Sequence, residues 1–209
     1  MIALVDYGAG NLTSVRKALA HIGAEFWTPA DPAELVRARA VIVPGVGHFD
    51  STARLDAAWR DAIHAALARS APLFGICVGL QWLFEGSTEA PGVAGLGAIR
   101  GTCTRLAGRE SGVGSRESAL KVPHVGWNSL SFPRPTRLLE GIPEGTQVYF
   151  THSFAAPVVP ATAAITTYGV PFSAAVEDGL VSGVQFHPEK SGDAGLRILR
   201  NWTSYVSSA

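Results

Sequence analysis

The chain opens on an apolar run, Ile2 to Asp6, and comparable runs recur at Glu25 to Thr28, Ala40 to Pro44 and Pro72 to Ile76. Short runs of this kind, separated by longer amphipathic stretches, predict parallel strands joined by crossover helices. One crossover starts at "DPAEL", where Asp31 can cap, Pro32 takes the first helical position and Glu34 follows three residues after the cap, so a short helix is expected. Another spans Ser51 to Arg69, in which Leu55, Trp59, Ile63 and Leu67 recur near the helical period and predict a stripe facing the core.

The pattern changes in the second half. Short alternating segments, "QVYF", "AAITTYG", "FSAAVED" and "LVSGVQF", predict antiparallel additions to the sheet, and a last helix is expected over Asp193 to Tyr205. The stretch from Leu106 to Lys121 is rich in Gly, Ser and charge and reads as a mobile surface loop. The fold class that follows is α/β: a mostly parallel central sheet flanked by helices, with an antiparallel extension, as one domain over residues 1–209.

Composition narrows the function. With 209 residues, 47% apolar and 16% charged, the chain can bury a sizeable core. Its 17 Lys and Arg balance 17 Asp and Glu, so no basic field draws nucleic acid or an anionic membrane. Two cysteines, no basic leader before an apolar segment, and no apolar run near the roughly 20 residues of a spanning helix point to the cytoplasm.

One of those cysteines is placed for chemistry. In "PLFGICVGLQ" a buried strand runs straight into a helix with Cys77 at the corner, and Gly75 and Gly79 stand two residues to either side. This is the spacing of a nucleophile elbow, whose flanking residues must be small where strand and helix approach. A thiol at a helix start is shifted toward thiolate. Cys103, in "RGTCTRL", lacks flanking glycines and reads as a buried strand residue.

A thiolate nucleophile needs a proton donor for the leaving group, and that donor needs an orienting partner. "GVQFHPEKSG" supplies both: His187 follows an apolar strand, and Glu189, two residues on in an extended segment, would point to the same side. The remaining histidines and cysteines show no metal-ligand spacing, so neither metal nor cofactor is expected. "DYGAGNLTSV" begins like a dinucleotide fingerprint, but its third glycine position falls at Thr13, which favours a tight turn capped by Asn11. "VPGVGHF" follows the third strand on the edge where Cys77 should emerge. Its backbone N–H groups, Val46 among them, could join that of Val78 as oxyanion donors.

Taken together, "DYGAGNLTSV", "PGVGHF", "GICVGLQ", "KVPHVGWN", "YFTHSF" and "GVQFHPEKSG" resemble, in order and over nearly the whole chain, the glutamine amidotransferase subunits of imidazole glycerol phosphate synthases, which are class I triad glutaminases. The elbow and the His-Pro-Glu are common to the whole class; "DYGAGN", "PGVGHF" and "KVPHVGWN" are the more specific motifs. The resemblance implies hydrolysis of L-glutamine through a thioester on Cys77, with His187 moving the proton and Glu189 orienting it. It implies Gly47, Gln81, Glu89 and Ser153 at the substrate's amino-acid end. It also implies a heterodimer with a (β/α)₈-barrel cyclase subunit, docked on Lys121, Pro123, His124, Trp127 and Asn128, and low glutaminase activity without that partner. Val78, Leu80 and Phe154 depart from the commoner residues of the family. A glutaminase of another synthase, a stand-alone cysteine hydrolase and an inert scaffold remain alternatives.

Overall fold

The computed structural model describes residues 1–9, 12–107 and 120–208, with side chains through Ser204. In chain order the elements are β1 (Ile2–Leu4), α1 (Leu12–His21), β2 (Phe26–Trp27), β3 (Ala40–Val43), α2 (Ala57–Ala68), β4 (Leu73–Ile76), α3 (Val78–Leu83), β5 (Gly86–Ser87) and β6 (Thr102–Arg105). There follow β7 (His124–Ser129), β8 (Gln147–His152), β9 (Phe154–Ala155), β10 (Thr162–Tyr168), β11 (Val170–Asp178), β12 (Val181–Val184) and α4 (Gly192–Ser208).

Seven strands form the main sheet in the order β10-β11-β12-β4-β3-β1-β2. From β12 to β2 every pairing is parallel; β10 and β11 extend the sheet antiparallel. The expectation of a mostly parallel sheet with an antiparallel extension therefore holds, with two refinements. "LVSGVQF" runs antiparallel to β11 but parallel to β4, joining the two parts. "QVYF" does not enter this sheet: β8 pairs antiparallel with β7 in a separate ribbon. A third small sheet joins β5, β6 and β9.

The central strands β1, β3 and β4 are buried over their length, as strands covered on both faces must be, while the edge strand β2 is half-buried. Alternation along β4 turns Phe74 to one face, where it meets Trp202 of α4 with ring centroids 5.1 Å apart, and Gly75 to the other, under α3.

The helical stretch expected over Ser51 to Arg69 is divided. A 3₁₀ turn covers Phe49–Arg54, and Asp56 then caps α2 by accepting from the Trp59 N–H, so a new helix starts where one was expected to continue. Leu55 and Ile63 are buried as predicted, while Trp59 and Leu67 pack only partly against the core. The "DPAEL" helix is a 3₁₀ helix, Pro32–Arg37, capped by Asp31. The cap assigned to Asn11 and residues 108–119 of the predicted loop lie outside the described residues.

Candidate active site

Cys77 lies where β4 ends and α3 begins, with φ 55 and ψ −108, a left-handed backbone that a residue with a Cβ rarely adopts. Such a conformation costs of order 1–3 kcal/mol and persists only where the surroundings enforce it. Here the enforcement is close packing. A Cβ on Gly75 would come within 2.5 Å of the Gly79 carbonyl oxygen and 2.7 Å of the Leu80 nitrogen, and one on Gly79 would collide with the Val43 carbonyl. The two glycines let α3 lie directly on β4 and β3, and the bend left between them turns the thiol out into a cavity.

His187 reaches the same cavity from the end of β12. Its N–H donates to the Tyr149 carbonyl at 2.9 Å and its own carbonyl accepts from the Ser191 hydroxyl at 2.7 Å, so its backbone is fixed on both sides. Pro188–Lys190 is a 3₁₀ turn and not the extended segment expected. The turn, rather than strand alternation, brings Glu189 back, and its Oε1 lies 2.8 Å from His187 Nδ1 with both side chains buried. The carboxylate thus holds the proton on Nδ1 and leaves Nε2 for chemistry. Nε2 is buried beside the Cys77 thiol, which bears on its titration, but has no hydrogen-bond partner of good geometry among the described residues. Burial disfavours the imidazolium; the neighbouring Cys77 and the Glu189 carboxylate on Nδ1 together outweigh it and raise His187 from 6.5 to about 9. A histidine so held is charged at neutral pH and suited to donate a proton.

The cavity, about 260 Å³, suits a small polar molecule. Gly47, Gln81, Glu89, Ser153, Val46 and Val78 all line it together with Cys77 and His187, and so does Pro123 from the "KVPHVGWN" segment. Gln81 is constrained. Its Nε2 donates to the Phe154 carbonyl at 2.8 Å and to Gln185 Oε1 at 3.0 Å, which leaves Oε1 as an unpartnered buried acceptor. Glu89 Oε2 accepts from the Phe49 N–H at 2.9 Å. These are acceptors fit for a cation. Gly47 has φ 95, a turn that glycine accommodates freely.

The oxyanion expectation meets a specific arrangement. The Val78 N–H already donates to the Gly45 carbonyl at 3.4 Å, so a donor expected to face the cavity is engaged. A Cβ on Gly45 would lie 2.9 Å from Val78 Cβ and 3.0 Å from the Gly79 nitrogen, so this loop presses directly on the start of α3.

The "KVPHVGWN" residues divide between two sides of β7. Val125 and Trp127 are exposed, Trp127 at 56%, and Lys121 and Pro123 are exposed beside them. His124 turns inward, buried and stacked on Tyr168 and Phe150, and Asn128 is half-buried. Cys103 is buried in β6 as expected, and burial pushes its thiol up. Two residues of this region went unread in the sequence. Gln185 is fully buried with its Nε2 3.6 Å from Cys77 Sγ, and His152 lines the cavity. The signal for Gln185 was present, since alternation along a strand places it on the same side as His187.

Among the described residues no helix is long and apolar enough to cross a membrane. The family model for glutamine amidotransferase class-I matches residues 3–204. Solved structures of the same fold include a glutamine amidotransferase, with a TM-score of 0.72 at 19% identity over 99% of this chain and 100% of that one. PurLQS from Thermotoga maritima follows with a TM-score of 0.68 at 18% identity over 98% and 97%. The chain belongs to the class-I glutamine amidotransferases. Within that class it is similar over its whole length to imidazole glycerol phosphate synthase subunits HisH. It is 44% identical to that of Moorella thermoacetica, over 100% of this chain and 96% of the relative. The subunit of Natronomonas pharaonis is 45% identical over 98% and 94%, and that of Methanothermobacter thermautotrophicus 41% over 99% of each.

Proposed function

We propose that this chain hydrolyses L-glutamine to glutamate and ammonia and passes the ammonia to a cyclase subunit. That partner would form imidazole glycerol phosphate and the aminoimidazole carboxamide nucleotide of histidine biosynthesis. The observation that carries the reading is the meeting, in one cavity, of a cysteine at positive φ with a buried His–Glu pair more than a hundred residues away in sequence; the full-length likeness to HisH subunits supports the second half-reaction.

In this reading Cys77 Sγ attacks the side-chain amide carbon and the carbonyl π electrons move to oxygen. The C–N bond then breaks as His187 Nε2 gives its proton to the departing nitrogen, leaving ammonia and a glutamyl thioester. Water next attacks the thioester, His187 Nε2 takes its proton, and the C–S bond breaks to release glutamate. Glu189 holds Nδ1 throughout. Gln81 Oε1 and Glu89 receive the substrate ammonium, because Gln81 has no amide hydrogen left to offer a carboxylate; Gly47 and Ser153 border the carboxylate.

The oxyanion needs two N–H donors, and Val78 offers its own only when the Gly45 carbonyl leaves it. Turning over the Gly45–Val46 peptide would release Val78 and bring the Val46 N–H to the same place, so slow turnover by the isolated chain follows. Val125 and Trp127, with Lys121 and Pro123, form the face proposed for a (β/α)₈-barrel partner, and Pro123 connects that face to the cavity. Ammonia kept inside such a complex escapes protonation by water, which would end its use as a nucleophile.

The test is a pair of assays on the assembled complex. Cys77→Ala and His187→Ala should lose glutamine-dependent cyclisation by a factor on the order of 10⁶ and keep the activity driven by added ammonium salt. Loss of both activities in well-folded variants would contradict this division of labour, and a free subunit as fast as the complex would remove the case for the peptide turn.

A further inference from the structure

We propose that Gln185 is a positioning residue for the nucleophile: its side-chain amide donates to the Cys77 sulfur and is locked in that orientation by Gln81 and the Phe154 carbonyl. The proposal rests on the reading of Cys77 as the nucleophile and adds a group to it.

The orientation of the amide is forced by a single obligate acceptor. A backbone carbonyl can only accept, so the group 2.8 Å from the Phe154 oxygen must be the Gln81 NH₂. The second hydrogen of that NH₂ reaches the neighbouring side-chain oxygen of Gln185 at 3.0 Å. Gln185 therefore presents its own NH₂ to Cys77 Sγ at 3.6 Å. Gln185 is fully buried, and its Oε1 is held by the Gln81 amide, so turning the amide over would break that bond and set two NH₂ groups against each other. A neutral thiol gains little from such a donor, whereas a buried thiolate requires one. The donor thus favours the reactive charge state and fixes the direction in which the sulfur points before attack. Among the described residues the titratable groups around the sulfur are His187 and Tyr7, with Glu189 and His152 behind the imidazole and Glu89 lining the same cavity.

The experiment follows carbamidomethylation of Cys77 by iodoacetamide in the full chain against pH, read by mass, with buried Cys103 as internal reference. Gln185→Met removes the donor at similar volume; Gln185→Glu keeps an acceptor for Gln81 and turns an oxygen toward sulfur. The midpoint should rise by about one pH unit or more in Gln185→Met, and further in Gln185→Glu. In complex with the cyclase subunit, kcat for glutamine should fall about 10- to 100-fold in Gln185→Glu, with KM nearly unchanged. An unshifted midpoint in a folded variant, or reactivity raised equally at Cys77 and Cys103, overturns the proposal. Should neither variant fold, the wild-type chain decides: the Gln185 side-chain amide resonances must move when the thiol titrates and when it is alkylated, and fixed resonances overturn the proposal. Failure of the underlying reading looks different, because a glutamine-like diazoketone would then add no mass to Cys77 in the wild-type complex.

Discussion

Replacing Gly75 by alanine tests whether the elbow is held by close packing. The new methyl carbon would lie 2.5 Å from the Gly79 oxygen, 2.6 Å from the Gly79 carbonyl carbon and 2.7 Å from the Leu80 nitrogen, all of them backbone atoms. No side chain can rotate to make room, so the start of α3 must retreat from β4 by somewhat less than an ångström. Overpacking of this kind costs about 1–3 kcal/mol, occasionally more. Against it stands a gain of about 0.4–1 kcal/mol from the smaller entropy of the unfolded chain. The net at mid-range is a loss of about 1.3 kcal/mol, and for a chain of this length each kcal/mol lowers Tm by about 2–4 °C. Gly92→Ala is the control. A Cβ there meets nothing within 4 Å, so only the entropic gain applies.

Urea unfolding of the three proteins gives the stability differences, and the rate of Cys77 alkylation reports the bend. Gly75→Ala should be less stable than wild type and should alkylate more slowly as the thiol is displaced from His187, while Gly92→Ala should match or slightly exceed wild type. A Gly75→Ala protein as stable as the control, with a wild-type alkylation rate, would refute the claim that helix and strand are in enforced contact and with it the account of the positive φ at Cys77.

Two further outcomes follow from the same geometry. His187 is raised from 6.5 to about 9, so its contribution to stability is complete below about 6.5 and lost as pH rises through about 9. Burial lowers His124 from 6.5 to about 4, and their contribution, with that of His152 near about 3, is present above 6.5 and lost as pH falls through those values. Urea midpoints should therefore be highest near neutrality, and Cys77→Ala, which removes a partner that holds the imidazolium, should flatten the alkaline limb; an unchanged limb would count against the thiol–imidazole interaction. On the face proposed for the cyclase, Trp127→Ala, at a side chain 56% exposed, should leave the fold intact and weaken cyclase binding by about tenfold or more, as truncation of a hot-spot tryptophan does; titration calorimetry reads both the affinity and its loss.

The parallel core and the elbow were legible because they rest on local rules. Gly75 and Gly79 flank Cys77 at the spacing the bend requires, and short apolar runs mark β1, β3 and β4. What escaped depends on partners distant in sequence. Nothing local in "QVYF" says that β8 pairs with His124–Ser129 rather than with the main sheet. Glu189 was assigned its partner by the wrong geometry, since Pro188 starts a turn and the carboxylate returns by curvature. Gln185 reads as one polar residue in an apolar strand, and its meaning comes only with Gln81 and Cys77 beside it.

The Phe154 peptide shows why that surrounding network has a direction. Its carbonyl accepts from Gln81 Nε2 at 2.8 Å and from His152 Nδ1 at 2.9 Å, which uses both lone pairs. With the proton on Nδ1, His152 Nε2 must accept, so His124 Nδ1 donates to it at 3.0 Å, and His124 Nε2 then accepts from the Asn128 amide at 3.4 Å. Burial lowers both histidines and keeps them neutral, as this arrangement requires. His124 of β7, through His152, and the nucleophile, through Gln185 and Gln81, are thereby tied to the same peptide oxygen. The acceptor is backbone, so the identity of the side chain at Phe154 does not alter it, and a displacement of β9 is felt at Gln81 and at His152 together.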